Sequence, residues 1–208
     1  MAEGEVEIVL ERDDWRRLEL LVELWLRYGR VMNLTSAKSP EELVPHVLEA
    51  ILAVSLARDV GIGPGERWLD VGSGAGFPGL VVAALTEVEL TMVEPRERRA
   101  SFLGVALAKL QRSGRVLRGH VDVAEWRPLD REDEGKLEVG SFDAVSARAV
   151  YAPDRWLKIG SSWSGPQGWV FAHLTRDNVG QISENPDRSI KFDQWSVCVF
   201  GNSRSGNK

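Results

Sequence analysis

The chain has 208 residues, 43% hydrophobic and 27% charged, with a formal net charge of −5. This is the make-up of one globular domain with room for a sizeable core, and the overall charge gives no support for nucleic-acid binding. A single cysteine, Cys198, excludes an internal disulfide and a multi-cysteine zinc cluster, in keeping with a reducing cytoplasm.

The N-terminus is acidic (Glu3, Glu5, Glu7) and lacks a basic-then-apolar signal pattern. The apolar run from Ala50 to Ala57 is too short to cross a bilayer, so no membrane association is expected. The first helix is predicted from Glu11 to Met32, with Trp15, Leu18, Val22, Trp25 and Gly29 at helical spacing. A second begins at Ser39-Pro40-Glu41-Glu42, where serine caps, proline suits the first position and Glu42 completes a capping box. Its face is traced by Val44, Val47, Leu48, Ile51, Leu52 and Ser55, and Pro45 threatens a kink or a new start. The breaker cluster Gly61, Gly63, Pro64 and Gly65 then marks a border.

Beyond the border, strands and helices alternate. Strands are expected at Arg67–Val71, Val88–Glu94, Val116-Leu117, Ser141–Ala147 and Gly168–Leu174, with helices at Pro78–Leu85, Pro95–Arg112 and Trp156–Ile159. Ile190–Phe192 and Trp195–Phe200 read as a closing antiparallel pair. The alternation implies an α/β fold, a doubly wound and mostly parallel sheet of Rossmann-like type, with ligands outside the C-terminal strand edge. Residues 1–65 are read as an N-terminal helical cap, 66–200 as the core and 201–208 as a disordered tail. A basic segment (Arg96, Arg98, Arg99, Lys109, Arg112, Arg115, Arg118) is broken only by Glu97 and followed by an acidic stretch from Asp122 to Asp143. It is either a solvated helix face or a local phosphate-contacting patch.

The stretch Asp70-Val71-Gly72-Ser73-Gly74-Ala75-Gly76-Phe77-Pro78-Gly79 joins the first strand to a helix. Glycines there let the chain turn tightly and a ligand approach the backbone. Gly74 to Gly79 fits the dinucleotide pattern G-x-G-x-x-G, with Glu94 near the position of a ribose-binding acid. Asp70 and Gly72 favour a second class. Asp70-Val71-Gly72-Ser73-Gly74 resembles the first motif of S-adenosylmethionine-dependent methyltransferases. A ligand with an ammonium group, a diol and no phosphates suits two carboxylates, Asp70 for the ammonium and Glu94 for the diol.

More than the loop is shared. The chain resembles the bacterial 16S rRNA guanine-N7 methyltransferase family, also called glucose-inhibited division protein B, over about residues 15 to 175. The matching pieces are Asn33-Leu34-Thr35, His46 with Glu49-Ala50-Ile51 (Glu and Ala standing for the family's Asp and Ser), the loop ending Phe77-Pro78-Gly79, Glu94 with Arg98-Arg99 and Phe102-Leu103, and Phe142-Asp143 with Arg148-Ala149. The resemblance implies a class I methyltransferase fold. It implies cofactor contacts from Gly72, Gly74, Phe77, Glu94, Arg148 and a pair after strand three. That pair falls at Val121 and Asp122, with Ala124-Glu125 as the alternative, and Asp122 is otherwise a helix cap. The family's Lys-Gly after strand five is Leu174-Thr175 here, with His173 and Arg176 alongside.

What the resemblance implies is methyl transfer from S-adenosylmethionine to guanine N7 in the decoding-region loop of 16S rRNA (position 527 in common rRNA numbering), by a cytoplasmic monomer acting on rRNA or the small ribosomal subunit. The alternatives are a small-molecule methyltransferase and an inactive cofactor-holding RNA- or ribosome-binding protein. Guanine N7 has a free lone pair, so no general base is required and no catalytic residue or metal is assigned. His46, His120 and His173 lie far apart in the sequence and are expected to be structural. Arg98, Arg99 and Arg112 are the candidates for phosphate contact. Arg148 either meets cofactor or substrate or pairs with an acid such as Glu94 or Asp143.

Overall fold

In the computed structural model, residues 8–32 and 34–202 are described. Asn33, part of the Asn-Leu-Thr match, and the tail from residue 203 lie outside them. Helix α1 (Arg12–Met32) and helix α2 (Pro40–Asp59) come first. Ser39 caps α2, its side chain accepting from the Glu42 N–H at 3.4 Å, while the Glu42 carboxylate accepts from the Lys38 N–H at 2.8 Å. Pro45 neither breaks nor restarts α2, which runs unbroken past it.

The core is a seven-stranded sheet. Strands β1 (Arg67–Val71), β2 (Glu89–Val93), β3 (Gly114–Leu117), β6 (Phe142–Ala147) and β7 (Ser164–Thr175) run parallel. Strand β9 (Trp195–Gly201) is antiparallel to β7, and β8 (Arg188–Phe192) is antiparallel to β9 at the edge. The order is β3-β2-β1-β6-β7-β9-β8, so the winding reverses between β1 and β6. A crevice opens at such a reversal, beyond the C-terminal ends of the strands. Helices α3 (Gly79–Leu85), α4 (Glu97–Leu110) and α5 (Pro153–Trp163) supply the crossovers. The sequence reading missed a small hairpin, β4 (Gly119–Asp122) with β5 (Glu125–Pro128). It turns at Val123-Ala124, with Ala124 at φ 49°, and carries no Asn-Gly or Asp-Gly signal.

One apolar cluster joins α1 and α2 to the sheet, running from Leu21, Trp25 and Leu43 to Trp68, Leu80, Phe102 and Phe171. Each such side chain contributes roughly 1.5–3 kcal/mol by leaving water. Two details of the predicted faces are corrected. Trp15 is 55% exposed and Val44 50%, because α1 buries Leu18, Leu21, Leu24 and Trp25, and α2 turns Leu43 and Glu49 inward. The start of the expected disordered tail is also ordered. Gly201 closes β9, and the Asn202 amide donates to the carbonyls of Ser161, Ser164 and Gly165 at 3.0–3.1 Å.

Two glycines predict opposite responses to alanine. At Gly160 on α5, a Cβ would stand 2.5 Å from Val170 Cγ1, so Gly160→Ala should destabilise by about 1–3 kcal/mol through overpacking. At Gly104 on α4, nothing lies within 4 Å, so Gly104→Ala should stabilise by about 0.5–1 kcal/mol. Chemical denaturation midpoints of the two variants would read both signs.

Candidate active site

A cavity of about 460 Å³ opens at the sheet reversal, a size suited to a small-molecule ligand. Its floor is the loop after β1, from Gly72 to Phe77. Gly72 sits at φ 68°, and a Cβ there would come within 2.5 Å of a Val150 methyl. Left-handed backbone and close approach together exclude other residues. The Gly72 and Ser73 N–H groups donate to the Val93 carbonyl at 2.8 and 3.1 Å, tying the loop to β2.

Glu94, at the end of β2, is 3% exposed and lines the cavity. One carboxylate oxygen accepts from the Gly74 N–H and the other from the Arg96 N–H, both at 2.9 Å. A carboxylate seated on the loop amide disfavours a pyrophosphate there, which separates this site from a dinucleotide cradle. Each oxygen keeps a second lone-pair site for a hydroxyl donor. Val121 and Gly119 of β4 line the far end, where the Tyr151 hydroxyl donates to the Val121 carbonyl. Tyr151, stacked on Trp156 at 6.1 Å, closes that end and was not foreseen from the sequence.

Phe77 is 6% exposed, clamped by Trp25 at 4.2 Å, while the Trp25 indole N–H donates to the Ala75 carbonyl at 2.7 Å. Thus α1 holds the floor of the cavity. Leu34, Thr35 and His46 form the wall on the side of the N-terminal helices.

Of the sequence-derived residues, Gly72, Gly74, Phe77, Glu94, Val121 and Arg148 line this cavity. Asp70 and Asp122 are not among its lining residues. Asp70 is 1% exposed beneath the loop, accepting from the Ser146 hydroxyl at 2.8 Å, and its second oxygen lies under Gly79. Burial raises its pKa, against hydrogen bonds from Ser73 and Ser146. It lies beneath the loop and outside the cavity lining. Asp122 ends β4 and takes Arg155 at 2.9 Å and the Val123 N–H, without capping a helix. Its alternative, Glu125, lies on the outer hairpin strand beside Arg127.

Arg148 does pair with an acid, but neither Glu94 nor Asp143: its Nε donates to Glu49 Oε2 at 2.8 Å. Glu49 is 2% exposed, and its other oxygen meets His173 Nδ1 at 2.9 Å. A terminal nitrogen of Arg148 meets His46 Nδ1 at 2.8 Å. So His46 and His173, distant in sequence, belong to one polar cluster around the buried Glu49. Burial alone would push the Glu49 carboxyl up, but the hydrogen bonds and charges of His173 and Arg148 outweigh it and hold its pKa below the ordinary value. Burial, then the Arg148 guanidinium, push the His46 imidazole below its ordinary range, against the pull of Glu49.

Among the basic candidates, Arg96 and Arg99 line the cavity mouth, with Arg99 reaching over Gly74. Arg98 is exposed next to them. Arg112 is corrected: it lies beyond the opposite end of α4 and pairs with Glu87 at 3.2 Å. Leu174 is buried, so the basic group after β7 is the exposed Arg176. Among the described residues, no helix is long and apolar enough to cross a membrane.

This sheet order, with a glycine loop after β1 and an acid following β2, is the class I methyltransferase fold. A putative S-adenosylmethionine-dependent methyltransferase from Methanococcus maripaludis aligns over 94% of this chain and 96% of its own, with TM-score 0.53 and 12% identity. The family model for rRNA small subunit methyltransferase G matches residues 14–202, and the chain belongs to that family. The ribosomal RNA small subunit methyltransferase G of Sphingopyxis alaskensis is 34% identical over 84% of this chain and 69% of the relative. That of Aquifex aeolicus is 33% identical over 68% of this chain, so the match spans about two thirds (66%) of that relative.

The pKa directions fix a stability trend. The lowered Glu49 value favours the folded state above its unfolded pKa, a contribution lost as pH falls through the folded value. The lowered His46 value acts in the same sense, its contribution being present above the unfolded imidazole pKa and lost on acidification. Through these two groups thermal unfolding should move to lower temperature as pH falls from 7 towards 4, a trend opposed by the raised Asp70 value, whose protonation favours the folded state. His46→Asn should flatten the part of that fall below the ordinary histidine pKa.

Proposed function

We propose that this chain transfers the methyl group of S-adenosylmethionine to guanine N7 in the decoding-region loop of 16S rRNA (position 527 in common rRNA numbering). The observation that carries the cofactor reading is Glu94, a nearly buried carboxylate aimed into a glycine-floored cavity with acceptor capacity to spare. The ribose diol would rest on Glu94, the adenine between Val121 and the Pro95-Arg96 turn, and the methionine end over Gly72 and Gly74. Bound, the cofactor supplies an electrophilic methyl on a sulfonium.

The residues of the chain then need only align and dry the reacting pair. Guanine N7 carries a lone pair and no proton, which is why the cavity needs no base. Phe77, Val150 and Tyr151 exclude water, and Thr35, His46 and Arg148 flank the side from which a base would enter. The target base must be looped out or flipped to reach this depth.

Arg96 and Arg99 at the mouth, with the exposed Arg98 and Arg176, are the proposed phosphate contacts on an acidic molecule. In this reading residues 1–65 cap a core at 66–200, since α1 and α2 build the loop's support and one wall of the cavity. In the same reading the chain acts in the cytoplasm as a monomer.

Incubation of unmodified 16S rRNA or small subunits with protein and cofactor should yield N7-methylguanine by mass analysis. Its absence, with cofactor bound, would leave a small-molecule methyltransferase or an inactive RNA-binding protein. Glu94→Ala should weaken cofactor binding at least about tenfold, given about 1.5–3 kcal/mol for each hydrogen bond to a charged acceptor. Arg98→Ala and Arg99→Ala should each reduce the slope of log affinity for rRNA against log salt by about 1.

A further inference from the structure

Glu49 lies outside the cavity lining, yet it organises a group that lines it. It is nearly fully buried on α2, and both of its oxygens are used: one by Arg148 Nε at 2.8 Å, one by His173 Nδ1 at 2.9 Å. The donor inventory of the cluster fixes its protons. Arginine can only donate, so His46 Nδ1 must accept from Arg148 and carries its own proton on Nε2. An ionised carboxylate can only accept, so His173 carries its proton on Nδ1. Arg148 is thus gripped at two of its five N–H groups, by two side chains one helical turn apart on α2, over the ring of Phe77 at 6.0 Å. Three N–H groups remain, on a side chain that is 24% exposed and lines the cavity wall.

We propose that Glu49 is a positioning residue: with His46 it holds Arg148 so that its three remaining donors meet an acceptor oxygen of the incoming purine nucleotide. This rests on the methyl-transfer reading above. The physical basis is orientation. A planar fork of donors recognises an acceptor edge only when the plane is fixed, and an arginine released from one anchor spreads over many rotamers. A purine with a carbonyl beside N7 suits those donors; one with an amino group there does not. Glutamate also has the reach to serve β7 and the end of β6 from one position, and aspartate, one methylene shorter, retains the same acceptor chemistry.

The test separates cofactor from RNA parameters. With 16S rRNA as substrate, Glu49→Gln should lower kcat, or kcat/KM for RNA, by about 10–100-fold while changing the S-adenosylmethionine Kd less than about threefold. Glu49→Asp should recover most of the rate. His46→Ala, which removes the second anchor and leaves the buried acid paired, should cut the same parameter by about 3–10-fold. In an Arg148→Ala background, Glu49→Gln should cost nothing further. The inference is overturned if Glu49→Gln and His46→Ala both methylate normally. It is also overturned if the losses of Glu49→Gln and Arg148→Ala multiply, or if cofactor affinity falls in step with rate. If Glu49→Gln does not fold, the His46→Ala and Glu49→Asp measurements decide alone. A wild-type chain that binds cofactor but fails on 16S rRNA would instead sink the functional reading, and this inference with it. An active wild type with an indifferent Glu49 sinks this inference only.

Discussion

A loop in which every second residue is glycine has few side chains with which to hold itself in place, and its amides must still find acceptors. Here the whole site depends on how that need is met from outside. The Val93 carbonyl takes Gly72 and Ser73, and the Glu94 carboxylate takes Gly74. Asp70 and Ser146 pair beneath the loop, and the Trp25 indole reaches across from α1 to the Ala75 carbonyl. The choice of Glu94 also sets the chemistry. Loop amides free at a helix start attract phosphate, whereas an amide already holding a carboxylate favours hydroxyl donors.

The two N-terminal helices are more than a cover. They share the apolar core of the sheet, and α2 buries an acid in it. A buried carboxylate is tolerated only when its charge is answered, and Arg148 and His173 answer it from the ends of two different strands. The same demand that pins α2 to the sheet therefore orients an arginine at the cavity wall. Packing and recognition are coupled through one side chain, so damage at position 49 would be felt at both.

The outline of the fold was legible because local rules and tertiary structure agree. Ser39-Pro40 starts a helix and the glycine cluster at 61–65 ends the helical segment. Apolar runs separated by amphipathic segments give parallel strands in order. The hairpin at 119–128 was not legible. Its strands are four residues each, its turn lacks the usual residues, and it is held by indole N–H bonds from Trp126 to the Asp133 carbonyl and from Trp163, 41 residues on, to the Asp122 carbonyl. Tyr151 was missed for the same reason, since its partner is a backbone atom 30 residues away.

By itself the sequence determined the type of site: a glycine loop after one strand, an acid ending the next, and an arginine after the fourth strand of the parallel core. These are backbone-level requirements, and backbone geometry is encoded over a few neighbouring residues. Only the tertiary structure decided what each charged group does. Asp70 and Glu94 are both acids flanking the loop, yet one is sealed beneath it and the other opens into the cavity. Arg148 could have met any of several carboxylates, and it met Glu49, 99 residues earlier. Charge pairing follows distance in space, and no spacing along the chain states which acid will be left near which base once the helices have packed.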